Sequence, residues 1–156
     1  MIRSIKKSLW FLILISPFAS ASQVEVEANT LSVDPSNLSL AGVCVKFEDT
    51  GSSHLLVNIH FPDKFNKRNF EMANMRVASG GGESTTFEIV PEKKGNYRKI
   101  GIVAVRRQGE ISDIQLEAAY GDGKSIPEIL MLDTSDFIEI FKQAEIGEET
   151  KLNCGR

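Results

Sequence analysis

The chain has 156 residues, of which 42% are hydrophobic, 25% charged and 8% aromatic, with 12 Gly, 5 Pro, two Cys and a formal net charge of -3. That balance excludes collagen-like, low-complexity and wholly disordered chains, because Gly and Pro are too few and the apolar fraction is too high. It also excludes a small scaffold stapled by many disulfides.

Arg3, Lys6 and Lys7 form a positive start, Leu9 to Ile15 is an unbroken apolar run, and Ala19-Ser20-Ala21 supplies the small residues of a cleavage site. Residues 1–21 therefore read as a signal peptide. The alternative is a membrane anchor, but Ser16 and Pro17 interrupt the apolar run well short of the roughly 20 residues a spanning helix needs. The reading predicts export to the periplasm or beyond, with no membrane insertion after cleavage. Without its three basic leader residues the chain from Ser22 to Arg156 keeps 15 Lys+Arg against 21 Asp+Glu, a net of -6. That acidity argues against nucleic acid as a partner and favours a protein partner, a basic one on net charge. In an oxidising compartment Cys44 and Cys154 form an even pair, which predicts one disulfide closing a very long loop.

Along the rest of the chain apolar residues alternate far more often than they follow helical spacing. Val24 and Val26 alternate with Glu25 and Glu27. Leu38 and Leu40 are followed by Val43, Val45 and Phe47, a change of face near Ala41-Gly42 that predicts a β-bulge. Leu55, Val57, Ile59 and Phe61 share one face of a strand, and Thr85, Phe87 and Ile89 repeat the pattern. Ile100 to Val105 is apolar on both faces, as in a central strand. Ile114, Leu116, Ala118 and Tyr120 alternate up to Gly121-Asp122-Gly123, a tight-turn signal that predicts a hairpin between Ser112–Tyr120 and Lys124–Leu132. Pro127 marks the second of these as an edge or irregular strand. Phe137, Ile138, Ile140, Phe141 and Ala144 recur at helical spacing behind Asp136, predicting a short helix over 137–145, with a strand as the rival. The tail beyond Gly147 reads as exposed until Cys154. The pattern defines an all-β fold: a single-domain antiparallel β-sandwich over residues 22–156, Ig-like or jelly-roll-like, with one short helix near the C-terminus.

Spacing along the chain limits the chemistry available. His60, Met72 and Met75 are the soft or borderline ligands of a copper-handling alternative. His54 and His60 in one straight strand would stand about 20 Å apart, and Met72 and Met75 at an odd offset would face opposite sides. No nucleophile motif accompanies either histidine, and no metalloprotease or phosphate-loop pattern occurs. Glu48-Asp49 and Asp133 with Asp136 are the acids of a second alternative, a small hydrolytic enzyme. The sequence thus predicts a protein that is not an enzyme and carries no cofactor and no resident metal.

Interaction surfaces are left. Ser79-Gly80-Gly81-Gly82-Glu83 and the charged stretch Glu92 to Arg98 read as loops that a rigid sandwich presents to a partner. Ser79, Gly80, Gly81, Lys94, Asn96 and Tyr97 are the candidate binding residues, with Tyr97 as the anchor. The alternative for Tyr97 is that it packs on its own sheet. Size, leader and β-rich character resemble small periplasmic inhibitors of lysozyme, whose recognition loop carries Ser-Gly-x-x-Tyr. Here Ser79-Gly80 is followed by Gly81-Gly82-Glu83, so the tyrosine of that motif is absent and membership is not drawn. The segment Arg98 to Gly123 resembles a strand-strand-hairpin unit of exported bacterial proteins, which implies fold alone. The expected function is non-catalytic binding of another macromolecule, as an inhibitor or immunity-type protein acting on a cell-envelope enzyme.

Overall fold

A computed structural model of the chain describes residues 29–51, 54–78, 82–107, 110–111 and 113–155. The leader, the Val24–Glu27 alternation and Ser79-Gly80-Gly81 lie outside the described residues. The described elements are β1 (Asn29–Val33), α1 (Leu38–Ala41), β2 (Cys44–Asp49), β3 (His54–Pro62), β4 (Lys64–Phe65), β5 (Arg68–Ala78), β6 (Ser84–Ile89), β7 (Glu92–Lys94), β8 (Tyr97–Arg107), β9 (Glu110–Ile111), β10 (Ile114–Gly121), β11 (Glu128–Asp133), a 3₁₀ turn (Thr134–Phe137), α2 (Ile138–Phe141) and β12 (Glu149–Leu152).

They form two sheets. One runs β1-β11-β10-β5, with β4 and β6 both paired to β5; the other runs β12-β2-β3-β8, with β7 and β9 both paired to β8. The alternation that predicts the strands also predicts their buried faces. Leu55, Val57, Ile59 and Phe61 of β3 and Ile114, Leu116, Ala118 and Tyr120 of β10 belong to one core with Val45, Phe47, Ile100, Ile102, Leu130 and Leu132. The two-sheet, all-β architecture is as the sequence pattern predicts.

Several local expectations are corrected. The change of face at Ala41-Gly42 is one helical turn, not a bulge: Leu38 and Ala41 bury on one stripe while Leu40 is 73% exposed. Gly42, at φ +66°, ends it, and its N–H and that of Val43 donate to Ser39 and Leu38 carbonyls. The bulge sits instead in β5, where Ala119 pairs Met72 and Tyr120 pairs Phe70, leaving Glu71 extra. A Cβ on Gly121 would stand 2.8 Å from the Glu71 carboxylate, so a larger residue there would displace the end of that side chain. That carboxylate accepts a hydrogen bond from the Gly123 N–H at 2.7 Å.

The β10–β11 hairpin forms, but through a six-residue connection, 122–127, rather than a two-residue turn. Asp122 organises it by accepting from the Lys124 and Ser125 N–H groups and the Ser125 hydroxyl, which pulls its pKa down to about 2. Pro127 precedes β11 and does not make it an edge. β1 pairs β11 in parallel on its far side, so β11 is internal and the sheet is not wholly antiparallel. The predicted C-terminal helix is present but begins earlier and ends sooner, as the 3₁₀ turn followed by α2. Asp133, not Asp136, caps it, accepting from the Ser135 N–H at 2.8 Å. The tail beyond Gly147 is largely exposed, as expected, and it also carries β12, which pairs antiparallel with β2. Phe87 lies in a strand as expected, yet is 49% exposed, because β6 overhangs the core.

Candidate functional site

The predicted disulfide joins Cys44 and Cys154, with Cα atoms 4.8 Å apart across a sequence separation of 110. It fastens the tail beyond β12 to the start of β2. Asn153, at φ +50°, adds two side-chain bonds from the same tail, donating to the Leu38 and Val43 carbonyls.

Beside this bond lies a group that spacing along the chain does not reveal. Cys44 and His60 are directly opposite in the β2–β3 ladder, and His60 Nδ1 lies 3.6 Å from Cys44 Sγ. On its other side the imidazole meets the Tyr97 ring at a centroid distance of 6.2 Å. His60 faces outward, since Ile59 and Phe61 take the core face. Lys99 is its partner on β8, and the adjacent row pairs Lys46 with Asn58 and Asn58 with Gly101. Gly101 leaves the surface beside the Asn58 amide bare; a Cβ there would come within 3.3 Å of its oxygen. Lys46 and Lys99 make no ion pair among the described residues, whereas Lys94 pairs with Glu92 and Lys151 with Glu149.

The charged stretch 92–98 is a β-hairpin rather than a loop. Lys94 and Tyr97 close it around Gly95-Asn96, with Gly95 at φ +57°. Its base is clamped. Asp63 accepts from Arg98 Nε at 2.6 Å, pairs with Lys93 Nζ at 3.3 Å, and donates its own N–H to the Asn96 carbonyl at 2.7 Å. The Arg98 hydrogen bond, with Lys93 adding to it, holds the Asp63 carboxyl below its ordinary pKa. The Arg98 guanidinium also stands 5.0 Å over the Phe70 ring. Beneath this corner Tyr120 is fully buried and donates its hydroxyl to the Pro62 carbonyl at 2.8 Å. A cleft of about 480 Å³, lined by Gly42, Pro62, Asp63, Lys64, Asn96 and Tyr97, opens at this end of the sheet.

Of the predicted binding residues the structure therefore brings Lys94, Asn96 and Tyr97 to one place and adds His60, Lys46 and Lys99. Tyr97 is 40% exposed, with its ring tilted at 43° to the His60 imidazole. The copper residues do not assemble. Met75 packs against the core, Met72 is exposed on the opposite face of β5, and His60 is on the other sheet. The acids of the hydrolase alternative have structural partners: Asp49 Oδ1 accepts from the Gly51 N–H, and Asp133 caps the 3₁₀ turn. Asp113 shares a hydrogen bond with Asp133, which raises the Asp113 pKa.

Burial lowers the His60 pKa from its ordinary 6.5, and the Lys46, Lys99 and Lys94 charges lower it further, against a smaller opposing effect of Glu149. The folded state thus favours the neutral ring. As pH falls through 6.5 the unfolded chain binds the proton first, so this contribution to stability is lost on going toward the lower folded value. Thermal midpoints measured from pH 7.5 to 5 are expected to fall more steeply for the parent than for His60→Gln; identical slopes would contradict the assignment.

No family model, curated protein or solved structure matches this chain. No helix among the described residues is long and apolar enough to cross a membrane.

Proposed function

We propose that this chain is an exported, non-catalytic binding protein that engages a protein of the cell envelope, in the manner of an inhibitor or immunity protein. One observation carries the reading: Tyr97 is half-exposed at the tip of a hairpin whose base is fixed by Asp63, Lys93 and Arg98. An amphipathic ring on a pre-ordered hairpin loses little conformational entropy on association, which is what a binding anchor requires.

Net charge and local charge point in opposite directions. The chain is acidic overall, which suggests a basic partner, but charge complementarity operates over the few ångströms of the contact. Around His60 the nearby charges are Lys46, Lys94 and Lys99, opposed by Glu149. The partner that fits this face presents carboxylates. The test is a quantitative pull-down from envelope extract with the oxidised domain. Tyr97→Ala and Lys99→Glu are each expected to reduce enrichment of the partner at least tenfold, as loss of an interface anchor does. Met72→Ala, on the other sheet, is expected to leave it unchanged. Absence of an enriched partner, or equal enrichment by all variants, would overturn the proposal.

A further inference from the structure

The two halves of the Cys44–Cys154 bond have unlike surroundings. Cys44 stands opposite His60 on the outward face of β2 and β3 and is only 4% exposed, whereas Cys154, on the tail beyond β12, is partly exposed. An incoming group meets Cys154 first. A disulfide sulfur carries no hydrogen, so a hydrogen bond across the 3.6 Å between His60 Nδ1 and Cys44 Sγ runs from Nδ1–H to sulfur. The charges that face this corner come from four strands: Lys46 on β2, Lys99 on β8, Lys94 on β7 and Glu149 on β12. Glu149 is engaged by Lys151 at 3.1 Å, and Glu92, opposite Lys99, by Lys94 at 3.6 Å. Lys46 and Lys99 are left as positive charges with no ion pair among the described residues. Breaking the bond does not free the tail, because the four residues of β12 pair with β2 and Asn153 donates to the Leu38 and Val43 carbonyls. The two sulfurs stay near enough to rejoin.

We infer that Cys44–Cys154 is a thiol-exchange site, which accepts a small anionic thiol on Cys154 and releases Cys44 as the leaving group. The incoming thiolate attacks Cys154 Sγ. The bond to Cys44 breaks as the new S–S bond forms, and the electron pair leaves on Cys44 Sγ. One disulfide replaces another, so no further oxidant or reductant takes part. The Cys44 thiolate accepts the His60 Nδ1–H hydrogen bond, which is stronger to a charged sulfur than to a neutral one. Lys46 and Lys99 stabilise the same charge. Exchange is faster when the leaving thiol is more acidic, so these groups act on the rate as well as on the equilibrium. The lysines also attract an anionic thiol and disfavour a cationic one. In the reverse step the Cys44 thiolate attacks Cys154 Sγ, expels the thiol and closes the clasp again. The inference is independent of the proposed partner at Tyr97.

The experiment treats the oxidised protein with 2-mercaptoethanesulfonate or with cysteamine, small thiols of opposite charge, at equal thiolate concentration. Acid quenching and peptide mass analysis then locate the adduct. The sulfonate is expected on Cys154 with Cys44 free, and to form its adduct about tenfold faster than cysteamine does. Lys46→Glu/Lys99→Glu is expected to reverse that preference. His60→Phe is expected to slow exchange about tenfold, and His60→Asn, which keeps a side-chain N–H, to recover part of the rate. A purely structural role for His60 predicts the opposite, since a loosened tail exchanges faster. An adduct on Cys44, no adduct at all, equal rates for the two thiols, or a His60→Phe variant as fast as the parent would each overturn the inference. The first three outcomes are read on the parent protein alone, so they decide the matter even where a variant does not fold.

Discussion

Replacing both Cys44 and Cys154 by Ala is expected to lower the free energy of unfolding by about 4 to 5 kcal/mol, the largest effect of any change considered. The reason lies mainly in the unfolded chain. A cross-link between residues separated by 110 positions removes a large share of its conformational freedom, and the loss grows with the logarithm of loop length. The native state adds little strain to offset this, because β12 already pairs with β2 and Asn153 already bonds the Leu38 and Val43 carbonyls. Denaturant titration of the double variant should show a lower midpoint with a cooperative transition. A cost under about 1 kcal/mol would mean that the tail is held by β12 alone and that the entropic account is wrong.

Phe141→Ala is expected to cost about 3 to 5 kcal/mol, as loss of a large buried aromatic does. Phe141 is fully buried, meets Phe47 edge-on at 5.0 Å and stacks on Phe137 at 5.8 Å. Those contacts attach α2 to the sheet that carries the disulfide. Truncation removes the ring contacts and leaves a cavity that the β2 side cannot collapse into, since its strand is fixed by β3 and β12 on either side. Leu40→Ala, at an exposed position one turn into α1, is the control and is expected to change stability by less than about 0.5 kcal/mol. Equal costs for the two would show that α2 does not pack as described.

The sheets were legible where one face is buried and the partner is near in sequence. β3 and β10 show their inward residues by simple alternation, because burial on one side forces period two. The β6 alternation is just as regular, but Phe87 remains exposed; periodicity reports which residues share a face and not whether another sheet lies opposite. Pro127 misled for a related reason. Its lack of an N–H limits only its own position, while the status of β11 is decided by β1, almost a hundred residues away in the chain. The Asn66-Lys67 turn, with both residues at positive φ, joins β4 to β5 and carried no signal, since lysine is an uncommon choice there.

The site was half legible. Tyr97, Asn96 and Lys94 stood out as an aromatic among charges at a Gly-Asn turn. His60 did not, because its importance comes from a cross-strand neighbour. A turn signal near residues 50–53 does not fix this register: counting evenly from it puts residue 44 opposite 59, and the observed pairing of Cys44 with His60 is one residue further on. Lys46 is placed by the same β2–β3 ladder and Lys99 by the β3–β8 ladder. Counting charge over the whole chain hid them, because the acidic residues that set the net value are distributed elsewhere on the surface.

The most direct measurement is site-specific photocrosslinking in intact cells, with a photoreactive residue at position 97 and, for comparison, at position 72 on the opposite sheet. The account predicts one discrete adduct from position 97, lost when Lys46 and Lys99 are both changed to Glu, and none from position 72. No adduct at 97, or the same adduct from both positions, would contradict it.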